Sequence, residues 1–301
     1  MKSKHLSTEK QRLIYGLIFV APAVLGFLIF VLAPMLSSLI LSLTDYRIVS
    51  RENHFVGLDN YIRLLDGRDF FIKKSLGVTF YYALFSVPLG MICAFLLAMM
   101  LNRDMKGKAV FRVIYYLPSI VPVVATSLIW TWLLDPDLGL VNSVLRQFDL
   151  PTSRFIYAER TVIPSLSIMS VWTSGGTMVI FLAGLQGISR TLYEAVEIDG
   201  GNAWHKFIKI TVPMMTPTIF YNLVMGVIGG LQAFTQSFIM TQGGPNNGSL
   251  FIVYYLYRMA FREQEMGRAC AVAWVVFLII MLITLLIFRS SQRWVYYEGD
   301  N

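Results

Sequence analysis

The residues of this chain that could do chemistry are mostly uncharged and sit inside apolar sequence. Ser170, Thr173, Ser174 and Thr177 gather around Trp172, and Asn222, Gln232, Thr235 and Gln236 lie near Tyr221 and Phe234. Hydroxyl and amide groups beside aromatic faces can hold a hydroxylated, uncharged ligand such as a sugar. The same groups can instead serve helix–helix hydrogen bonding and small-residue packing in a bilayer, and residue type alone leaves both readings open. Acid–base, nucleophilic or metal chemistry would need clustered His, Asp, Glu or Cys. The three histidines (His5, His54, His205) are scattered, and the two cysteines (Cys93, Cys270) each lie in an apolar run with no disulfide or zinc spacing. No catalytic residue and no metal set is expected.

These groups must be positioned by elements that live in lipid. Of the 301 residues 56% are apolar and 14% charged, with mean hydropathy +0.61. That leaves too little polar surface for a water-soluble globule of this size and excludes a disordered or collagen-like chain. The net charge of +7 forms no basic stripe with interleaved aromatics, so no nucleic-acid partner is expected. Segments free of Asp, Glu, Lys and Arg run 13–44, 75–102, 113–134, 161–189, 210–257 and 269–288. A crossing needs roughly 20 apolar residues, so each can hold one. In the fifth, Thr241 to Ser249 is a Gly/Pro/Asn cluster that cannot continue a lipid-facing helix. The next stretch, 250–261, is too short to span and reads as an interfacial or re-entrant helix. The sequence thus predicts an all-α membrane protein with six transmembrane helices.

The run after Arg12 is far longer than a signal-peptide core, so the first crossing is expected to be retained. Lysines and arginines divide almost evenly between the two sides, and the short basic flanks Lys2–Arg12 and Arg103–Arg112 decide for cytoplasmic N- and C-termini. This gives a cytoplasmic tail over 1–12, a first helix over 13–44, an external loop over 45–74, a five-helix transmembrane domain over 75–289 and a cytoplasmic tail over 290–301. Pro118 and Pro122, four apart, predict a kink in the third helix. No Asp, Glu, Lys, Arg or His lies in the charge-free segments, so nothing there marks ion-coupled transport or a charged selectivity ring. Any energy for transport is expected from outside the bilayer. No internal inverted repeat is visible.

One polar segment between crossings stands out. Tyr193 to Pro213 reads as a short helix with Glu194 and Glu197, a turn at Gly200-Gly201, and a second helix carrying Lys206 and Lys209 into the fifth crossing. A helix resting on headgroups would place three acids, Glu194, Glu197 and Asp199, beside anionic lipid. A protein partner fits better.

This segment, 190–213, resembles the EAA loop of binding-protein-dependent ABC importer permeases: Glu-Ala-Ala, three residues, Gly, nine residues, Ile, one residue, Leu-Pro. Glu194, Ala195, Gly200, Ile210 and Pro213 fall on the pattern, with Val196 and Val212 replacing Ala and Leu. Phe55-Val56-Gly57-Leu58-Asp59-Asn60-Tyr61, Leu117-Pro118, Trp130-Thr131-Trp132-Leu133-Leu134-Asp135-Pro136 and Thr241-Gln242-Gly243-Gly244-Pro245 look like the carbohydrate branch, as the first permease subunit of maltose-type or glycerol-phosphate-type systems.

The resemblance implies a type I importer permease fold with a cytoplasmic coupling helix. It also implies a second permease subunit, two ATP-binding cassette subunits, and a periplasmic or extracellular sugar-binding protein, all at a prokaryotic plasma (inner) membrane. ATPase coupling would fall to Glu194, Ala195, Asp199, Gly200, Ile210 and Pro213. The substrate path would include Ser119, Ser170, Trp172, Thr173, Ser174, Gly226 and Gly230, the two glycines standing where the maltose protein has polar residues. This chain has no Gly-x-x-x-x-Gly-Lys-Ser/Thr phosphate loop, so ATP and magnesium belong to the partner ATPase, with no cofactor expected here and membrane lipid around the helices. The other reading is an ion-coupled secondary carrier or channel that works without an ATPase. An intramembrane enzyme lacks the residues.

Overall fold

The computed structural model describes residues 8–49, 53–66 and 69–296. Lys2 and Lys4, most of the expected tail 1–12, and the end of the tail 290–301 lie outside the described residues. In chain order the α-helices are α1 (Thr8–Phe27), α2 (Ala33–Ser42), α3 (Asp59–Leu65), α4 (Phe70–Asn102), α5 (Lys108–Ile120), α6 (Val123–Leu133), α7 (Leu140–Gln147), α8 (Val162–Trp172), α9 (Gly175–Gly187), α10 (Arg190–Ile198), α11 (Ala203–Lys206), α12 (Val212–Leu231), α13 (Ile252–Tyr257) and α14 (Met266–Ser291). Among the described residues the only pairing of extended backbone is the bridge Thr44–Phe55.

Four continuous helical stretches are long and apolar enough to cross a membrane: Arg12–Ser42, Phe70–Asn102, Ala203–Leu231 and Met266–Ser291. Two further pairs qualify only together, α5 with α6, bent by 98°, and α8 with α9, bent by 51°. The first bend is a break rather than the expected kink. Pro118 is carried inside α5, whereas Pro122 pushes Val121 to ψ 130° and itself lies at ψ 135°, so the helix stops and restarts. α4 begins at Phe70, earlier than the charge-free boundary at 75. Asp69 caps it, accepting from the Phe71 and Ile72 amides at 3.0 and 3.3 Å, which draws Lys73 and Lys74 into the first turns. The segment after the Gly/Pro/Asn cluster packs into the protein: Leu250, Phe251, Ile252 and Tyr254 are buried.

The chain forms two compact units, passing from one to the other after Asp66, after Tyr257 and again within α14 after Val275. In the first (Met1–Asp66 with Arg258–Val275), the Phe55–Tyr61 segment is tied to the end of α2. Buried Asn60 donates from Nδ2 to the carbonyls of Ser42 and Thr44 at 2.9 and 2.8 Å, and the Tyr61 and Ser42 hydroxyls meet at 2.6 Å. Trp274 donates to Ser38 at 3.2 Å, and Gly267 leaves room for the Thr44 carbonyl.

The second unit (Gly67–Tyr257 with Val276–Asn301) is built around α4, which touches α8, α9, α12 and α13. Ala94 and Ala98 let α9 come close, so that Met178, Phe181 and Leu185 bury beside them with Met215. Nearer the start of α4, the rings of Tyr82 and Phe251 meet at a tilt, centroids 4.8 Å apart, within a second cluster that includes Val162, Leu166 and Met169. The first amide of α13, Ile252, donates to Thr79 Oγ1 at 2.9 Å, which seats this short helix on α4. Away from these seams the apolar side chains point outward, as in Phe80, Leu84, Phe85, Leu282 and Leu286, the surface of a protein solvated by lipid.

Candidate functional site

Two places in the second unit gather the residues singled out from sequence. The first is a cavity of about 450 Å³ bordered by α4, α8, α9 and α12. Ser170, Thr173, Ser174, Gly226 and Gly230 line it, together with Thr177, Tyr221, Asn222 and Gln236. Ser119 and Trp172 do not. Half-buried Ser119 sits near the end of α5 and donates to the Tyr116 carbonyl at 2.7 Å, while Trp172 meets Trp130 edge to face at 6.0 Å.

The bend between α8 and α9 makes the polar wall. Gly175 lies so close to the Tyr115 carbonyl of α5 that a Cβ would overlap it, and the helix turns at Thr173-Ser174 just before that crossing. The hydroxyl protons there are spent on the helix itself: Thr173 donates to the Ser170 carbonyl at 3.0 Å and Ser174 to Val171 at 2.7 Å. Asn222 likewise commits its Nδ2 to the Thr218 carbonyl at 2.9 Å. Thr173 and Ser174 are left with oxygen lone pairs and Asn222 with its Oδ1 and one N–H, which suits a ligand whose hydroxyls both donate and accept. No Asp, Glu, Lys, Arg or His is among the lining residues described.

α4 supplies a wall that the sequence reading left out. Tyr82, Ser86 and Gly90 recur every four residues and therefore share one face of α4, and all three line the cavity. That spacing within the charge-free segment 75–102 was the available signal. Gly226 and Gly230 have a packing role as well as a lining one: a Cβ would stand 2.9 Å from Val87 at the first, and 3.2 Å from both Ala83 and Val87 at the second.

The second place is the helix–turn–helix of α10 and α11. α10 starts at Arg190, so Glu194 and Glu197 lie beyond its first turn; Arg190 pairs with Glu194 at 3.1 Å. Gly200 turns the chain at φ +77°, a conformation an L side chain resists. Asn202 then caps α11, accepting from the Trp204 and His205 amides at 3.0 Å each. Lys206 and Glu197 form an ion pair across the turn, and Tyr193 reaches Thr211 at 3.1 Å. The hydrogen bond and charge of Lys206 hold the Glu197 carboxyl below its ordinary range. Glu194, Ala195, Asp199 and Gly200 are exposed, whereas Ile210 and Pro213 are half-buried where the chain enters α12 through a π-helical turn. At the tip Ile198 is 86% exposed and Trp204 64%. His, Cys, Asp and Glu form no group able to hold a metal among the described residues.

A helical membrane chain with an uncharged polar cavity and an exposed apolar tip between helices is the architecture of a transport permease. Residues 86–296 match the family described as binding-protein-dependent transport system inner membrane component, and the chain belongs to that family. It is 40% identical over 288 residues to the probable ABC transporter permease protein YesP of Bacillus subtilis (strain 168), covering 94% of this chain and 92% of that protein. It is also 31% identical to the arabinooligosaccharides transport system permease protein AraP of the same organism, over 91% of this chain and 87% of that one. To the multiple sugar-binding transport system permease protein MsmF of Streptococcus mutans it is 30% identical, over 88% and 91%. Among solved structures, a bacterial ABC transporter for import of the acidic polysaccharide alginate superposes with a TM-score of 0.80 at 23% identity, covering 95% of this chain and 96% of that one. These matches support an importer permease over a carrier that works without an ATPase.

Proposed function

We propose that this chain forms half of the translocation path of an ATP-driven importer for a neutral sugar or oligosaccharide. The observation that carries the ligand class is the cavity, which offers hydroxyl, amide and aromatic groups with no charge in its described lining. A polyol satisfies such groups, whereas an ion or an ionised solute would enter without a counter-charge. The named sugar systems of the relatives AraP and MsmF agree with this class.

In this reading the four continuous helices and two bent pairs make six crossings, with both termini cytoplasmic. α10 and its Gly200 turn are the coupling element. Ile198 and Trp204 enter a cleft on an ATP-binding cassette subunit, and Glu194 and Asp199 line the rim of the contact. Two cassette subunits, which carry ATP and magnesium, close together and draw two permeases with them, and a sugar-binding protein supplies the outer mouth. Transport is then alternating access, driven by the different affinities of the two states for nucleotide and binding protein.

Reconstitution tests this directly. Proteoliposomes holding the chain with its partner permease, cassette subunits and binding protein are expected to accumulate sugar only with ATP. Uptake at the same rate by this chain alone would overturn the proposal. In the full assembly, Ser174→Ala with Asn222→Leu is expected to lower uptake by about ten-fold or more, because the ligand's hydroxyls lose their acceptors.

A further inference from the structure

The cavity is lined by glycines that the close approach of α4 and α12 does not account for. Glycine inside a helix costs about 0.5–1 kcal/mol relative to alanine, so each one calls for a reason. For Gly226 and Gly230 the reason is steric, since Val87 and Ala83 occupy the space a Cβ would need. Gly90 on α4 and Gly229 on α12 have no such neighbour: nothing lies within 4 Å of where a Cβ would stand at either. Neither has a positive φ. Glycines with open surroundings also occur elsewhere in this membrane protein, as at Gly16 and Gly26 of α1. What sets Gly90 and Gly229 apart is that both border the polar cavity, among Ser86, Tyr221 and Asn222.

We propose that Gly90 and Gly229 determine specificity, their missing side chains setting the size of the ligand the cavity admits. The proposal rests on the cavity being the translocation site. A side chain at either position meets no atom of this chain, so it shrinks the site without forcing α4 and α12 apart. Discrimination by steric filling acts on the larger ligand and spares the smaller. At Gly226 and Gly230 the same substitution instead strains the helix seam and affects all ligands and the fold alike.

Two arms test this on the assembled importer. In the first, Cys93 and Cys270 are replaced by alanine, and cysteine is introduced singly at the four glycines. The small uncharged reagent methyl methanethiosulfonate is expected to modify Gly90→Cys and Gly229→Cys, and Gly226→Cys and Gly230→Cys about ten-fold more slowly. Equal rates at all four positions would overturn the geometric distinction. In the second, proteoliposomes are given a size-graded hydrolysate of neutral polysaccharide, and mass spectrometry reads which lengths enter. Across Gly229→Ala, Gly229→Val and Gly229→Leu, uptake of the largest species transported is expected to fall stepwise, by about ten-fold at leucine, with the smallest within about two-fold of the parent. An unchanged size profile in the leucine variant overturns the proposal. If the parent assembly takes up no sugar of any length, or Ser174→Ala with Asn222→Leu leaves uptake intact, the reading of the cavity as a sugar path fails instead.

Discussion

The turn at Gly200 makes a prediction in which backbone conformation and side-chain bulk point in opposite directions. Gly200 sits at φ +77°, and nothing lies within 4 Å of a Cβ built there. Substitution therefore meets no steric wall, and its cost is conformational. A left-handed residue costs an ordinary L side chain about 1–2 kcal/mol, less for asparagine, whose short amide supports the conformation locally, and most for a β-branched side chain. In an equilibrium between the ordered turn and an open one, 1–2 kcal/mol is a factor of roughly 5 to 30. The expected order of function is thus Gly200, then Gly200→Asn, then Gly200→Ala, then Gly200→Val, although asparagine is larger than alanine. The assay is sugar transported per ATP hydrolysed in the reconstituted importer, with membrane abundance measured in parallel. Coupling is expected to fall in that order at constant abundance. Alanine performing better than asparagine would refute the reasoning, because bulk or contact would then outweigh φ.

Three further outcomes rest on individual contacts. Replacing Thr79 by valine removes the acceptor for the buried Ile252 amide and is expected to cost about 1–3 kcal/mol, read as a lower Tm in detergent. Gly175→Ala drives a Cβ into the Tyr115 carbonyl and is expected to destabilise by about 1–3 kcal/mol, whereas Gly176→Ala, with open space around it, is expected not to lower Tm. Because Lys206 depresses the Glu197 carboxyl, the brace across the turn is intact above the ordinary glutamate range and is lost as pH falls through the depressed value. Amide exchange in residues 196–206 of the parent is expected to gain protection relative to Glu197→Gln above that range, with the difference vanishing in acid.

Much of this molecule is legible along one dimension. The charge-free segments mark the helical stretches because a lipid-facing backbone must bond to itself and cannot carry charge. Pro118 and Pro122 announce a kink, though not the full break found at Pro122, and the Gly/Pro/Asn cluster ends a helix, since prolines and glycines act on the residues beside them. The Gly200 turn is equally local. The site is legible only in part. Ser170, Thr173 and Ser174 are close in sequence and line one cavity, whereas Trp172, among them, faces Trp130 instead. A helix turns 100° per residue, and position in sequence does not say which side meets the cavity.

By itself the sequence determined the solvent, the apolar helical stretches and the family, because composition, periodicity and spaced motifs are properties of the chain taken in order. Tertiary structure decided what meets across helices: that Tyr82, Ser86 and Gly90 of α4 join the wall, that α8 and α9 bend where Gly175 crosses Tyr115, and that Leu250, Phe251, Ile252 and Tyr254 are buried. It also separated glycines of one residue type into two kinds. The physical reason is common to all of these. Whether a small or polar residue packs, opens a space or faces a ligand depends on atoms supplied by another segment, and no local rule names that segment.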